Sequence, residues 1–254
     1  MDASPAVAHA LRILDALARA AGPRSAVALG RELSIPRSTT YRVLSTMAAH
    51  GYVVHVPDLG YALGPAAHEL SWAYQRQAPL QRVAGPLLAA LADALGHNAH
   101  LSVLHGKDVL YVIEERVKGR PRLITDVGVR LPAELTASGC AMLSRLTSAQ
   151  ISALYPSKEA LVDRNDNGPA TVSELRRELA SIRARGYARE TELVSTGLGS
   201  VAAPVLDSAG HPAASVAVTF PLGTGEPEIE RVAEQVRRTA ATIEARLERR
   251  RPPA

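Results

Sequence analysis

The sequence predicts an α+β protein. It should carry a winged helix-turn-helix at its N-terminus, then a linker helix, then a larger domain on a mostly antiparallel sheet. Three observations carry this expectation. Two helical patterns are separated only by Ser34 and Ile35 before Pro36, a break tight enough for a helix-turn-helix. A short hairpin pattern follows Gly51. Beyond Gly96 the texture changes to apolar runs joined by turn residues, which reads as hairpin-linked strands.

Each element follows in order. Val7, Ala10, Leu11, Leu14, Leu17 and Ala18 form a helical stripe that ends before Gly22-Pro23. Ser25 to Leu33 reads as a second helix with Ser25 as its cap. Pro36 suits the first turn of the third, so Ser34–Ala49 is expected to be the recognition helix. "YVVHV" and "GYAL" flank Pro57-Asp58-Leu59 as the wing, and Gly64-Pro65 closes the unit. Residues 66–77 are helical in pattern and carry Leu70, Trp72 and Tyr74, and Pro79 opens a helix to about Leu95.

The strands "AHLSVLH" and "VLYVIEE" then flank Gly106-Lys107-Asp108, and "GSVAAPVL" and "HPAASVAVTF" flank a turn at 207–210. Helices are expected near Ser138–Leu146, Ser148–Tyr155 and Thr171–Arg185, and from Glu226 to about Arg250. The expected division is 1–64 for the winged unit, 65–78 for the linker and 79–254 for the second domain.

Composition bounds the function without choosing it. The chain has 254 residues, 46% of them hydrophobic, so a sizeable core is affordable in one or two domains. A single cysteine, Cys140, excludes a disulfide framework and fits a reducing, cytoplasmic setting. No apolar run approaches membrane-spanning length, and the N-terminus lacks the order of a secretory signal. The net charge is only +4, and Lys107, Lys118 and Lys158 are the sole lysines. That arginine bias reads as well from a genome rich in G and C as from nucleic-acid binding.

The third helix is more informative. At 100° per residue Thr40, Val43, Leu44 and Met47 share one sector, while Ser38, Arg42, Ser45 and Ala49 occupy the other, edged by Arg37 and Tyr41. An ordinary solvated face mixes both signs of charge. This one has no Asp or Glu, and it offers donors of the kind that meet phosphates and base edges. Arg37, Ser38, Thr39, Tyr41, Arg42 and Ser45 are therefore the candidate contacts to a double-stranded DNA operator.

"ALRILDAL", "IPRSTTYRVLSTMAAHGYV", "YALGP", "LTASGCAML" and "GYARETELVSTGLGSVAAPVLDSAGHPAASVAV" resemble, in order and spacing, the IclR family of bacterial transcriptional regulators. The resemblance runs from about Pro5 to Arg246. It implies a winged helix-turn-helix, a linker helix and an effector-binding domain of GAF-like fold. It also implies a dimer, often a dimer of dimers, that represses or activates a nearby catabolic operon. Two departures stand in the winged unit. Ser34 replaces the usual glycine of the turn, and Gly30 sits inside the second helix, where it should cost about 1 kcal/mol relative to Ala.

"LTASGCAML" opens a helix, where unpaired amides and partial positive charge meet small side chains. Plain capping by Thr136 or Ser138 explains the same letters. The resemblance favours instead an acid-binding role for the amides of Ala137 and Ser138. It further implies polar pocket positions at Glu190, Ser200, Ala217 and Thr219, with Leu123, Leu131 and Met142 as apolar walls. The family commonly has aspartate, cysteine and serines at those four polar positions, so the ligand here should differ. Glu190 would oppose an acid unless it meets a hydroxyl, amine or hydrazide-like donor.

Other constellations carry less. Asp163, Asn165, Asn167, Gly168 and Glu174 match a calcium-loop spacing. Only two of those ligands are charged, and Thr171 with Glu174 reads equally as a capping box. His97, His100 and His105 should not converge on a metal, and Cys140 lacks a basic partner. No metal, cofactor or catalytic set is expected, so the protein should not be an enzyme. The rival reading is a GAF-like small-molecule binder or enzyme whose N-terminal domain serves only for dimerisation. Such a helix should expose apolar side chains rather than Arg and Ser. Leu70, Trp72 and Tyr74 are expected to pack across a homodimer, because a two-fold DNA reader needs one.

Overall fold

A computed structural model describes residues 4–77, 79–119, 125–162 and 168–249. The chain divides into two compact units, Met1–Ala78 and Pro79–Ala254. Among the described residues no helix is long and apolar enough to cross a membrane.

In the first unit α1 (Pro5–Arg19), α2 (Ala26–Glu32) and α3 (Arg37–Ala49) enclose a small core. Ile13, Leu17, Leu29, Ile35, Leu44 and Met47 are buried in it. The stripe expected on α1 is only partly the buried one. Ile13 and Ala16 lie inside with Leu17, whereas Val7 and Leu11 remain 57% and 58% exposed. The apolar band on α1 is wider than the contact that α3 offers, so its outer edge stays in solvent.

The turn explains both departures. Ser34 sits at φ 53, the left-handed region that costs a non-glycine residue roughly 1–2 kcal/mol. Gly30 is where the second helix meets the third. A Cβ there would stand 2.9 Å from Thr40 Oγ1 and 3.1 Å from the Ile35 carbonyl oxygen. Its poor helix propensity is therefore offset by close packing. Ser25 caps α2 as expected, accepting from the Ala28 amide at 3.2 Å. Pro36 is the N-cap of α3 rather than its first helical residue, so that helix starts three residues later than the expected Ser34.

Strands β1 (Val53–Val56) and β2 (Gly60–Leu63) pair antiparallel as the wing. Arg24 and Tyr61 exchange two backbone hydrogen bonds of 2.8 Å, which ties the wing to the start of α2. Helix α4 (Pro65–Gln77) follows, with Leu70 55% and Trp72 56% exposed. The side chain of Tyr74 lies outside those described.

The second unit is a six-stranded sheet in the order β5-β4-β3-β8-β7-β6, every neighbour antiparallel. Its strands are β3 (Asn98–His105), β4 (Asp108–Glu115), β5 (Arg130–Pro132), β6 (Ala188–Thr191), β7 (Leu198–Leu206) and β8 (Pro212–Pro221). Side chains alternate across it. Leu101, Val201, Val216 and Val218 face α5 (Pro79–Leu95) and α9 (Glu226–Glu248). Ala202 and Ala217 face α6 (Ala137–Leu143), α7 (Ser148–Leu154) and α8 (Val172–Arg185). This is the α+β domain on an antiparallel sheet that the sequence predicted. The two outermost strands, β5 and β6, are the elements it did not single out.

Candidate DNA interface and effector cleft

On α3 the two faces separate as the periodicity requires. Thr40, Val43, Leu44 and Met47 are buried, while Arg37, Ser38, Tyr41, Arg42 and Ser45 are exposed and Thr39 is half-buried. Thr40 is satisfied inside by donating to the Pro36 carbonyl at 3.1 Å. The Arg37 guanidinium carbon lies 5.8 Å from the centroid of the Tyr41 ring. None of the ion pairs among the described residues engages Arg37 or Arg42. Two unneutralised cations among hydroxyls, on a helix with a rigid apolar back, suit a polyanion.

In the second unit a narrow cleft of about 20 Å³ opens where α6 begins over the sheet. Thr136 caps α6 by accepting from the Gly139 amide at 2.9 Å, and the Cys140 amide donates to the Thr136 carbonyl. The amides of Ala137 and Ser138 are the earlier pair that the helix itself leaves open. A Cβ on Gly139 would meet the Ala133 carbonyl oxygen at 2.1 Å, so only glycine lets this helix start lie so close. Capping and an open amide pair therefore coexist here.

Ala137, Ser138, Glu190, Ser200, Ala217 and Thr219 all line this cleft. Ser200 and Thr219 hydroxyls are 3.1 Å apart. Glu190 is buried and accepts from the Leu193 amide at 3.1 Å. Burial raises its carboxyl pKa, against hydrogen bonds from Ser200 and from the amides of Leu193 and Val194. The other expected positions do not meet the cleft. Met142 is fully buried in the core beneath it, and Leu131 on β5 packs against that same core. Both point into side-chain packing between the sheet and α6. Leu123 lies outside the described residues. Val194 and Leu198 supply the apolar wall instead.

Sequence reasoning missed His100, Tyr111, Thr125 and Ser195, which also line the cleft. His100 is buried, with Nε2 3.0 Å from Thr125 Oγ1 and 3.7 Å from a Glu114 carboxylate oxygen. Burial would raise the Glu114 carboxyl, but the nearby His100 ring and the Arg116 guanidinium at 2.6 Å outweigh it and hold its pKa at about 2. Tyr111 is pushed up by burial, against a hydrogen bond with Ser138. A wider hollow of about 540 Å³ shares Glu190 with the cleft, but its other carboxylates are engaged. Glu134 accepts from Tyr155 at 2.9 Å, Glu174 from the Ala170 amide at 2.9 Å, and Glu178 pairs with Arg185 at 3.2 Å.

Among the described residues no three His, Cys, Asp or Glu side chains gather as a metal would need. Asp163, Asn165 and Asn167 lie outside them. Thr171 caps α8 by accepting from the Glu174 amide at 3.1 Å. The Glu174 carboxylate returns to the Ala170 amide rather than to Thr171, so the box is one residue wider than expected. Burial pushes the Cys140 thiol up to about 12, which leaves it protonated and unreactive.

A helix-turn-helix with an acid-free cationic face, followed by a sheet domain holding a polar cleft, defines a DNA-binding transcription regulator with its own effector domain. The family model described as the IclR helix-turn-helix domain matches residues 6–57, and that described as the bacterial transcriptional regulator IclR C-terminal matches residues 72–245. The chain belongs to the IclR family of bacterial transcriptional regulators. It is 31% identical over 219 residues to the HTH-type transcriptional regulator BhcR of Paracoccus denitrificans, covering 85% of this chain and 77% of that protein. It is 27% identical over 215 residues to the transcriptional repressor IclR of Escherichia coli, covering 84% and 78%. The fold matches an IclR homolog from Microbacterium hydrocarbonoxydans, solved with 4-hydroxybenzoate, at a TM-score of 0.82 and 23% identity over 96% of this chain and 99% of that one.

Proposed function

We propose that this IclR-family repressor controls a catabolic operon, and that a small organic or aromatic acid, or its amide- or hydrazide-like derivative, seated in the cleft, modulates operator binding. Arg37, Ser38, Thr39, Tyr41, Arg42 and Ser45 contact the operator, and a homodimer reads a pseudo-palindromic site. A dimer of dimers reads two such sites. The observation that carries the DNA reading is the outer face of α3, where exposed Arg37 and Arg42 stand without a carboxylate over a fully buried apolar back. The rival reading of α3 as a dimerisation helix loses ground on the same face, which exposes only one large hydrophobic side chain, Tyr41.

The protein acts in the cytoplasm on DNA and catalyses no reaction. Leu70 and Trp72, both more than half exposed in the single chain, pack across the dimer. The DNA upstream of its own gene, titrated with full-length protein, tests the proposal. Specific binding should weaken steeply as salt rises, and sedimentation should give a dimer or tetramer. Unchanged operator affinity in both Arg37→Ala and Arg42→Ala, or a monomer at micromolar concentration, would overturn it.

A further inference from the structure

We infer that the effector selected by this cleft is a short, multiply hydroxylated carboxylic acid, such as a hydroxy acid or a sugar acid, rather than an aromatic acid. The inference rests on the effector site proposed above and narrows the chemistry of its ligand.

Strand register carries it. Glu190 pairs opposite Ser200, Ser200 opposite Thr219, and Thr219 opposite Asn98. Residues directly opposite on neighbouring strands share a face, so these four form one polar row across β6, β7, β8 and β3. The Ser200 and Thr219 hydroxyls are 3.1 Å apart, the Glu190 carboxyl stands opposite Ser200, and Asn98 at the end of the row accepts from the Val117 amide. The next row on that face is Ala202, Ala217 and His100, with Glu114 opposite His100. Its two alanines keep the floor low and leave the His100 ring at the cleft. The wall above holds the Tyr111 and Ser138 hydroxyls.

Most side chains lining the cleft end in a hydroxyl. A hydroxyl has one donor and two acceptor sites, so the bonded Ser200–Thr219 pair keeps capacity for a ligand. The apolar lining is small: Ala137, Ala217, Val194 and Leu198. An aromatic ring pressed onto this floor would displace water from the hydroxyls and return no hydrogen bonds, leaving polar groups unpaired. A ligand with several hydroxyls satisfies the row as water does. Sites built on hydrogen bonds reject analogues that lack the partner groups far more strongly than apolar pockets reject misfits.

The test is calorimetry on the full-length protein with glycerate and gluconate against benzoate and 4-hydroxybenzoate. A hydroxy acid of this set should bind at least about tenfold more tightly than either aromatic acid. Ser200→Ala and Thr219→Val should weaken the hydroxy acid by about tenfold while changing the aromatic acids little. Ser200→Thr, which keeps the hydroxyl, should restore the preference and controls for misfolding. Binding of 4-hydroxybenzoate as tight as that of the best hydroxy acid, or no binding of either hydroxy acid, overturns the inference. Equal weakening of both classes by the two variants does the same. Ala137→Leu separates the two levels. If it abolishes binding of whichever acid binds but the preference is absent, only this inference falls. If binding survives Ala137→Leu, the cleft is not the effector site and both readings fall.

Discussion

The outer face of α3 and the floor of the cleft handle polar side chains in opposite ways. On α3 the functional groups come from one helix, stand in solvent and have no carboxylate among their partners. In the cleft they come from β3, β4, β6, β7, β8 and the start of α6, with His100 bonded to Thr125 and Ser200 to Thr219. Water satisfies an exposed cation, so α3 needs no internal partner. A polar group withdrawn from water without a partner costs on the order of 1–3 kcal/mol, so the cleft must be satisfied from within. One surface is therefore free to change without affecting stability, and the other is not.

Gly139→Ala gives the largest expected effect and falls on the cleft side. Its Cβ would meet backbone, the Ala133 carbonyl oxygen at 2.1 Å, which cannot swing aside. Urea unfolding of the second unit should show a loss of about 3 kcal/mol, and the operator-binding face should be untouched while that unit stays folded. A loss below about 0.5 kcal/mol, the range of neutral surface changes, would mean the helix start is looser than the geometry indicates.

Arg42→Ala probes the other side of the comparison. Operator affinity should fall by about 1–3 kcal/mol if Arg42 meets a base, while the melting temperature stays within error of the parent. If it meets a phosphate instead, the loss should be uniform across operator variants and the salt dependence should flatten. A large drop in melting temperature would contradict the separation of function from stability on this face.

Ser34→Gly has a smaller predicted effect, and of opposite sign. Relieving a left-handed serine at φ 53 should stabilise the first unit by about 1 kcal/mol. Denaturant titration of the full chain reads this directly. No gain would show that the Ser34 side chain contributes something the turn geometry does not reveal.

The smallest effect is a pH slope in the cleft. The Glu190 carboxyl has a folded pKa above its ordinary 4.5, burial being the first cause. The folded state therefore binds its proton more tightly than the unfolded chain. Stability from this group is complete below pH 4.5 and is lost as pH rises through the raised value. Glu114 works in the opposite sense. Its pKa of about 2 gives stability above 4.5 that is lost as pH falls toward 2. Glu190→Gln should flatten the high-pH limb of the stability profile and Glu114→Gln the acid limb. The reverse assignment of limbs would refute both charge environments.

Periodicity is a local property, and where structure follows it the sequence alone was enough. The sides of α3, the wing around Asp58, the Ser25 cap and the central hairpins were readable because each depends on neighbours in the chain. The amphipathic stripe of α1 was readable only in part. A band wider than its contact does not say which edge is buried, and Ile13 went inside while Val7 and Leu11 did not.

Edge strands were harder. Arg130–Pro132 is three residues long and "ARET" at 188–191 is mostly polar, so neither shows the apolar alternation that marks a strand buried on one face. The need for Gly30 was invisible in α2 alone, because its reason is Thr40 on the next helix. The cleft shows the limit most clearly. Ala137, Ser138, Glu190, Ser200, Ala217 and Thr219 were reached through a family resemblance, whereas His100, Tyr111 and Thr125 required the fold. Sheet register sets His100 beside Ala217 and Glu114, residues that are far apart in the chain. The sequence by itself determined the helices, the central hairpins and the exposed cationic side of α3, since each follows from spacing along one segment. Only the tertiary structure decided what lines the cleft, because hydrogen bonds between strands choose their partners in space.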